Sequence, residues 1–169
     1  LLKESPMFPL EIETLARLLI DEARQKSLRL VTAESCTGGL VAGAICAISG
    51  ASDVFERGFV TYTNRAKSEM LGVPGDLIAD HGAVSEVVAR MMAEGALEAS
   101  NGHVAVSITG VAGPGGGSPL KPVGTVHLAV ARANHSVVHR HERFAGGTRE
   151  AVQLAAVRTA LEMLREAVA

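Results

Sequence analysis

Aromatic residues are scarce in this 169-residue chain: one tyrosine, four phenylalanines and no tryptophan make up 3% of it. Its core must be aliphatic, and a planar ligand must be held without tryptophan stacking. An excess of one charge is lacking too. Lys+Arg 16 against Asp+Glu 18 leaves a formal net charge of −2. That argues against a nucleic-acid partner bound through general positive charge, which needs clustered Lys and Arg. No run approaches the ~20 apolar residues that span a bilayer, and the longest, Leu40 to Ile48, is interrupted by Gly43. The opening LLKESPMFPLEIE has neither the cationic start nor the apolar stretch of a secretion signal. The only cysteines are Cys36 and Cys46. On one expected helix they would stand about 15 Å apart at 1.5 Å per residue, too far for a disulfide. Free thiols fit a reducing compartment, and a cytoplasmic protein is expected.

What the chain has in excess is glycine, 18 residues, or about 11% against a typical ~7%. Much of it should mark places where the backbone itself does the work. The length suits one domain over residues 1–169, with Pro6 and Pro9 giving an extended lead-in through residues 1–9.

Hydrophobic spacing predicts a first amphipathic helix from Leu10 to Lys26. A short β-prone run, Leu28 to Ala33, stops at the polar cluster Glu34-Ser35-Cys36-Thr37-Gly38-Gly39, and a small-residue helix follows from Leu40. Phe55 to Thr63 reads as a second strand and Asn64 to Leu71 as a helix, so a βαβ crossover with a parallel strand pair is expected. Val73 to Ala83, rich in Pro, Gly and Asp, reads as a loop. Ser85 reads as the N-cap of a helix through Ser100. Val104 to Thr109 reads as a buried strand ahead of the Gly-dense loop from Gly110 to Pro119. Gly124 to Ala131 and Ser136 to Phe144 read as strands turning at Asn134, and Thr148 to Ala167 as a last helix. This order gives an α/β class, a three-layer α/β/α fold with a mixed, mostly parallel sheet containing one antiparallel strand.

Ser35 stands where a parallel strand ends and a helix begins, the edge at which open α/β sheets bind ligands. The N–H groups of Cys36, Thr37, Gly38 and Gly39 can face an anion there, and the glycines let a substrate approach the backbone. A capping role is the commoner explanation for a serine in such a place. Lys67 falls in the first turn after the second strand. If the two units are adjacent it converges with Ser35, and a neutral lysine can accept the serine proton. That requires burial or cationic neighbours such as Arg65 to lower its pKa; a solvated helix lysine is the plain alternative. Only four lysines occur in the chain. Tyr62 and Asn64 are candidate orienting groups. Cys36 is the rival nucleophile, because a helix N-terminus lowers a thiol pKa.

The Gly110 to Ser118 loop matches neither phosphate-binding fingerprint, so it is weak support for a nucleotide cofactor. It can close backbone amides over a ligand. Gly146-Gly147-Thr148-Arg149 offers N–H groups and a guanidinium for one phosphate, or simply a cap. His139-x-His141 lacks a third ligand at metal spacing, His81, His103, His127 and His135 are scattered, and no metal or cofactor is expected.

Five runs in unbroken order, TAESCTGGLVAG (32–43), FVTYTNRAKSEMLGV (59–73), GAVSEVVARMMAEGA (82–96), SITGVAGPGGG (107–117) and KPVGTVHLAVA (121–131), resemble the CinA C-terminal domain family. The resemblance spans Leu10 to Ala167. It implies hydrolysis of the carboxamide of nicotinamide mononucleotide to nicotinate mononucleotide and ammonia, a step in pyridine nucleotide recycling. The family's serine and lysine fall on Ser35 and Lys67. Its Tyr-x-Asn element falls on Tyr62 and Asn64, its Thr-Gly-x-x-Gly element on Thr109, Gly110 and Gly113, and its Gly-x-Arg element on Gly147 and Arg149. A small-molecule nucleotide substrate and a homodimer are implied, with no nucleic acid or membrane as partner. The additional N-terminal domain of longer members, resembling molybdopterin-binding proteins, is not expected in these residues. The alternatives are a non-catalytic nucleotide-binding or regulatory domain, and an amidohydrolase for another small carboxamide. Ammonia release separates the first from an enzyme, and comparison of nicotinamide with its riboside and mononucleotide separates the second.

Overall fold

The computed structural model describes residues 5–145 and 147–169. The first helix, α1 (Leu10–Gln25), leads into β1 (Leu30–Glu34), α2 (Leu40–Cys46), a 3-10 turn (Ala51–Asp53) and β2 (Phe55–Val60). Three helices follow, α3 (Asn64–Leu71), α4 (Gly75–His81) and α5 (Glu86–Glu98), then β3 (Val104–Gly110), β4 (Thr125–Arg132), β5 (Val138–Arg143) and α6 (Arg149–Val168). The sheet order is β2-β1-β3-β4-β5. Both neighbours of β1 run parallel to it, whereas β4 runs antiparallel to β3 and β5. Only β4 opposes the common strand direction, giving the expected mixed sheet with one antiparallel strand.

Alternation along the strands divides the core between the two sheet faces. Leu30, Val104, Val106, Ile108, Val126, Leu128 and Val130 pack against α1, α2 and α6. Val31, Ala33 and Ala105 face Leu71 of α3, Ile78 of α4 and Val88, Met92 and Ala96 of α5. Ala89 and Ala93 of α5 meet Ala129 and Ala131 of β4, so helix and sheet approach closely without aromatic filling. The approach of α5 to α3 depends on Gly95, where a Cβ would lie 1.9 Å from the Leu71 carbonyl oxygen.

Most predicted elements hold to within a few residues at their ends. Ser85 caps α5 by accepting from the Val88 N–H, and Asn134 takes the positive φ of 63° that the β4–β5 turn requires. The expected loop over Val73 to Ala83 instead contains α4. Pro74 stands at its N-cap, where its fixed φ and missing N–H cost nothing, and burial of Ile78 draws the segment against the core. Cys36 precedes α2 rather than sharing a helix with Cys46, and both thiols are free. His127 is not an isolated histidine. Strand register sets it opposite His141, and its Nδ1 lies 2.9 Å from His139 Nε2. Sequence spacing hides this because His127 sits on the neighbouring strand. Among the described residues no group of three His, Cys, Asp or Glu side chains is arranged to hold a metal ion, and no helix is long and apolar enough to cross a membrane.

Candidate active site

The chain leaves β1 for β2 on one side and returns to β3 on the other, so the strand order reverses at β1. Ligands bind open α/β sheets at such a point, beyond the carboxyl ends of the strands. A cavity of about 300 Å³ lies there, at the small end of the range for small-molecule sites. Ser35 and Cys36 reach it from the end of β1, Tyr62, Asn64 and Lys67 from the β2–α3 segment, and Thr109 from β3. Gly110 to Gly113 with Gly115 and Gly116 come from the following loop, and Arg149 comes from the start of α6. Local signals place these groups. Thr63 caps α3 by accepting from the Ala66 N–H, so Lys67 sits one turn in and faces inward. Thr148 caps α6 by accepting from Ala151 and sets Arg149 at the rim.

Lys67 Nζ is 2.9 Å from Ser35 Oγ. It donates to the backbone carbonyls of Thr61 at 3.0 Å and Tyr62 at 3.3 Å. Both carbonyls can only accept. A neutral amine therefore spends its two N–H groups on them and turns its lone pair to the Ser35 hydroxyl; an ammonium donates to all three. The arrangement satisfies both protonation states, as a proton acceptor requires.

The CinA C-terminal domain model matches residues 12–168 of this chain. The chain belongs to the CinA C-terminal domain family. It is 49% identical over 154 residues to the nicotinamide-nucleotide amidohydrolase PncC of Escherichia coli K12, covering 91% of this chain and 93% of that protein. A crystal structure of the competence/damage inducible protein CihA from Agrobacterium tumefaciens superposes with a TM-score of 0.94 at 52% identity, over 96% of this chain and 98% of that one. A CinA-like protein of Akkermansia muciniphila is 57% identical over 118 residues, 70% of this chain and 28% of its own length. The chain spans 28–39% of the length of that protein and of five further sequence relatives.

In this CinA domain burial holds the Lys67 ammonium below the usual lysine range; its side chain is only 1% exposed. Of the two sources expected, burial and cationic neighbours such as Arg65, burial is the one that acts. Arg65 is exposed on α3 and pairs with Glu69. The thiol expectation is reversed. Burial pushes Cys36 up to about 12; its own backbone N–H, Lys67 and Arg149 oppose the shift, and the Glu34 carboxylate adds to it. Any effect of the helix N-terminus is outweighed, so the thiol stays protonated at neutral pH.

Thr37, Gly38 and Gly39 do not line the cavity. Thr37 is buried with its hydroxyl on Glu34, and the Gly38 N–H is taken by the Ser35 carbonyl at 3.0 Å. The two glycines serve the turn rather than a close approach of substrate: φ is +57° at Gly38 and +103° at Gly39, which side-chain-bearing residues resist. Of this loop Ser35 and Cys36 border the cavity; the Ser35 N–H goes to the Ile108 carbonyl at 2.9 Å, whereas the Cys36 N–H has no backbone acceptor among the described residues. The N–H groups of Gly113, Gly115 and Gly116 are without acceptors on the same terms. Gly147 does not border the cavity, and Gly146 lies outside the described residues.

Tyr62 reaches Lys67 through its carbonyl, not its hydroxyl. The ring is 56% exposed, and its hydroxyl accepts from Arg149 Nη2 at 2.7 Å, while Arg149 Nη1 donates to the Gly113 carbonyl at 2.6 Å. Arg149 thus ties the mouth of the cavity to the Gly-rich loop. Thr109 Oγ1 donates to the Ala83 carbonyl at 2.8 Å and joins the end of β3 to the approach of α5. Sequence reasoning missed Glu34 and Gln153. A carboxylate ending an otherwise aliphatic or small-residue strand was the available signal for Glu34; nothing marked Gln153 among the polar residues of α6.

Proposed function

We propose that this domain hydrolyses the carboxamide of nicotinamide mononucleotide to nicotinate mononucleotide and ammonia, with Ser35 as nucleophile and Lys67 as general base. The contact of 2.9 Å between Lys67 Nζ and Ser35 Oγ, buried at the base of a small cavity, carries this reading. The likeness to Escherichia coli PncC, named a nicotinamide-nucleotide amidohydrolase, supports the substrate class.

Neutral Lys67 takes the Ser35 proton as Oγ bonds to the carboxamide carbon, whose oxygen becomes an oxyanion. The Cys36 N–H is the donor for that charge; one such donor is worth about 10²–10³ in rate. As the C–N bond breaks, Lys67 gives its proton to the leaving nitrogen and ammonia departs. Water then attacks the acyl-serine, Lys67 takes the water proton and returns it to Ser35 Oγ as the acyl–oxygen bond breaks, and nicotinate mononucleotide leaves. The amides of Gly113, Gly115 and Gly116 with the Arg149 guanidinium form the phosphate subsite. Tyr62 orients the Arg149 side chain, and its ring with Asn64 closes the mouth. The protein acts in the cytoplasm as a homodimer, which sedimentation of the purified chain tests.

Ammonia release from nicotinamide mononucleotide, compared with nicotinamide and its riboside, tests the function. Turnover is expected only with the mononucleotide, falling at least ~10³-fold in Ser35→Ala and Lys67→Ala. Near-normal turnover in Ser35→Ala removes the nucleophile assignment. Nucleotide binding without ammonia release by the parent protein favours a regulatory domain instead.

A further inference from the structure

Glu34 is the last residue of β1 and stands directly before Ser35. The strand ahead of it, Leu30-Val31-Thr32-Ala33, is aliphatic or small, and the Glu34 side chain is fully buried. A carboxylate in such a place is strongly disfavoured unless donors meet it. All three of its donors lie just downstream in the chain. The Thr37 hydroxyl donates to Oε1 at 2.7 Å, the Val41 N–H to the same oxygen at 2.8 Å, and the Ala42 N–H to Oε2 at 3.1 Å. The contacts run from residue 34 to residue 42 and close a ring around the turn that carries Ser35 and Cys36.

This arrangement replaces an ordinary cap. The N-cap of α2 is Gly39, which has no side chain to accept from the helix amides, and Glu34 accepts from them across the turn. A second hold comes from α6, where Gln153 Nε2 donates to the Cys36 carbonyl at 3.0 Å. The Cys36–Thr37 peptide is therefore gripped at its carbonyl from one side and, through the Thr37 hydroxyl, from the other. Glu34 itself does not border the cavity and makes no hydrogen bond to Lys67.

We propose that Glu34 is the positioning residue of the nucleophile turn, a role that rests on the serine–lysine reading above. By binding the start of α2 back to the end of β1, it holds Ser35 Oγ within reach of Lys67 and keeps the Cys36 N–H at the cavity wall. Its negative charge also helps keep the neighbouring Cys36 thiol protonated, so the serine is the one activated nucleophile of the turn.

Glu34→Gln tests this role. The amide keeps the shape but sets an N–H₂ group against the Ala42 or the Val41 and Thr37 donors, so the ring opens on one side. A misplacement of about 1 Å costs on the order of 10²-fold in rate. The expected result is kcat lowered about 100-fold with KM within about 3-fold, because the phosphate-side lining of Gly113, Gly115, Gly116 and Arg149 is untouched. Covalent labelling of Ser35 by a fluorophosphonate, a serine-directed probe that needs no nucleotide recognition, should slow by a similar factor. Glu34→Asp should recover part of both rates. Thr37→Val, which removes one donor and leaves the carboxylate in place, should slow both by about 10-fold and serves if Glu34→Gln fails to fold. A lowered melting temperature with parental kcat and parental labelling rate in the folded variants overturns the positioning role and leaves the serine–lysine reading standing. A parent protein that neither releases ammonia nor labels at Ser35 overturns that reading and the positioning role with it.

Discussion

Replacing Lys67 by methionine removes a lysine that is 1% exposed and forms no salt bridge with an acid among the described residues. Two terms of opposite sign decide the outcome. At 1.36 kcal/mol per pH unit, holding a lysine of ordinary pKa ~10.4 fully neutral at pH 7 costs at most about 5 kcal/mol, and methionine, of similar length, escapes that cost. Against it stand the contacts to Ser35, Thr61 and Tyr62, each worth about 1 kcal/mol. With Lys67 neutral at pH 7, as the general-base proposal has it, the variant should be more stable there by up to about 2 kcal/mol, which raises the melting temperature by up to ~6 °C in a chain of this size. The dependence on pH is the sharper signature. Because burial lowers the folded-state pKa of Lys67, the unfolded chain binds more protons between that value and ~10.4, and the parent gains stability as pH rises through this window. Methionine has no such term, so its advantage should shrink above pH 7, reverse once the cost falls below the worth of the three contacts, and become a deficit of about 3 kcal/mol above the lysine range. Urea denaturation of both proteins across that pH range measures it. A loss of more than about 1 kcal/mol in the variant at pH 7, or a stability difference that does not change with pH, would show that Lys67 is not held neutral by burial.

Cys36→Ala should keep ammonia release within about 3-fold of the parent and lose about 1–2 kcal/mol of stability through the small cavity left; an inactive variant would transfer the nucleophile role to the thiol. Gly95→Ala puts a methyl group 1.9 Å from the Leu71 carbonyl oxygen and forces α3 from α5. A loss of about 3 kcal/mol, or ~6–12 °C in melting temperature, is expected, and a neutral effect would show that the helices are not in this contact. Burial, then repulsion from His141, His139 and Lys121, lowers His127 to about 4, with Glu86 opposing; Arg90 also faces His139 in the cluster. The unfolded histidine, near 6.5, takes its proton first, so stability should fall as pH drops from about 6.5 toward 4. His127→Asn should flatten that limb, and an unchanged acid limb would place the titrating group elsewhere.

How far the sequence reached can be judged element by element. Apolar spacing and turn signals located α1, α2, α3, α5 and α6 and all five strands, because each carries its own local pattern, and Ser85 and Thr148 mark the starts of α5 and α6. Composition misled over residues 73–83, where Pro and Gly usually interrupt structure. Here they begin α4, and only burial of Ile78 against the opposite helices selects the helical form. Ser35, Lys67, Tyr62, Thr109, Gly113 and Arg149 were legible as a set from motif order. Their positions relative to one another were not: nothing local tells that Tyr62 offers Lys67 its carbonyl while its hydroxyl turns to Arg149.

Local spacing is enough to specify an aliphatic, nearly neutral α/β domain with a serine at the end of one strand and a lysine one turn into the helix after the second. Those are properties of neighbouring residues and of their spacing. The tertiary structure alone decided the protonation preferences and the holds on the turn. Burial, one of the two sources expected for it, lowers Lys67, and burial raises the Cys36 thiol against the helix N-terminus. The donors to Glu34, the hold of Gln153 on Cys36, and the meeting of His127 with His139 and His141 arise only once α2, α6 and β4 are in place. Desolvation and hydrogen bonding depend on which atoms surround a group, and for these residues most of the surrounding atoms come from distant parts of the chain.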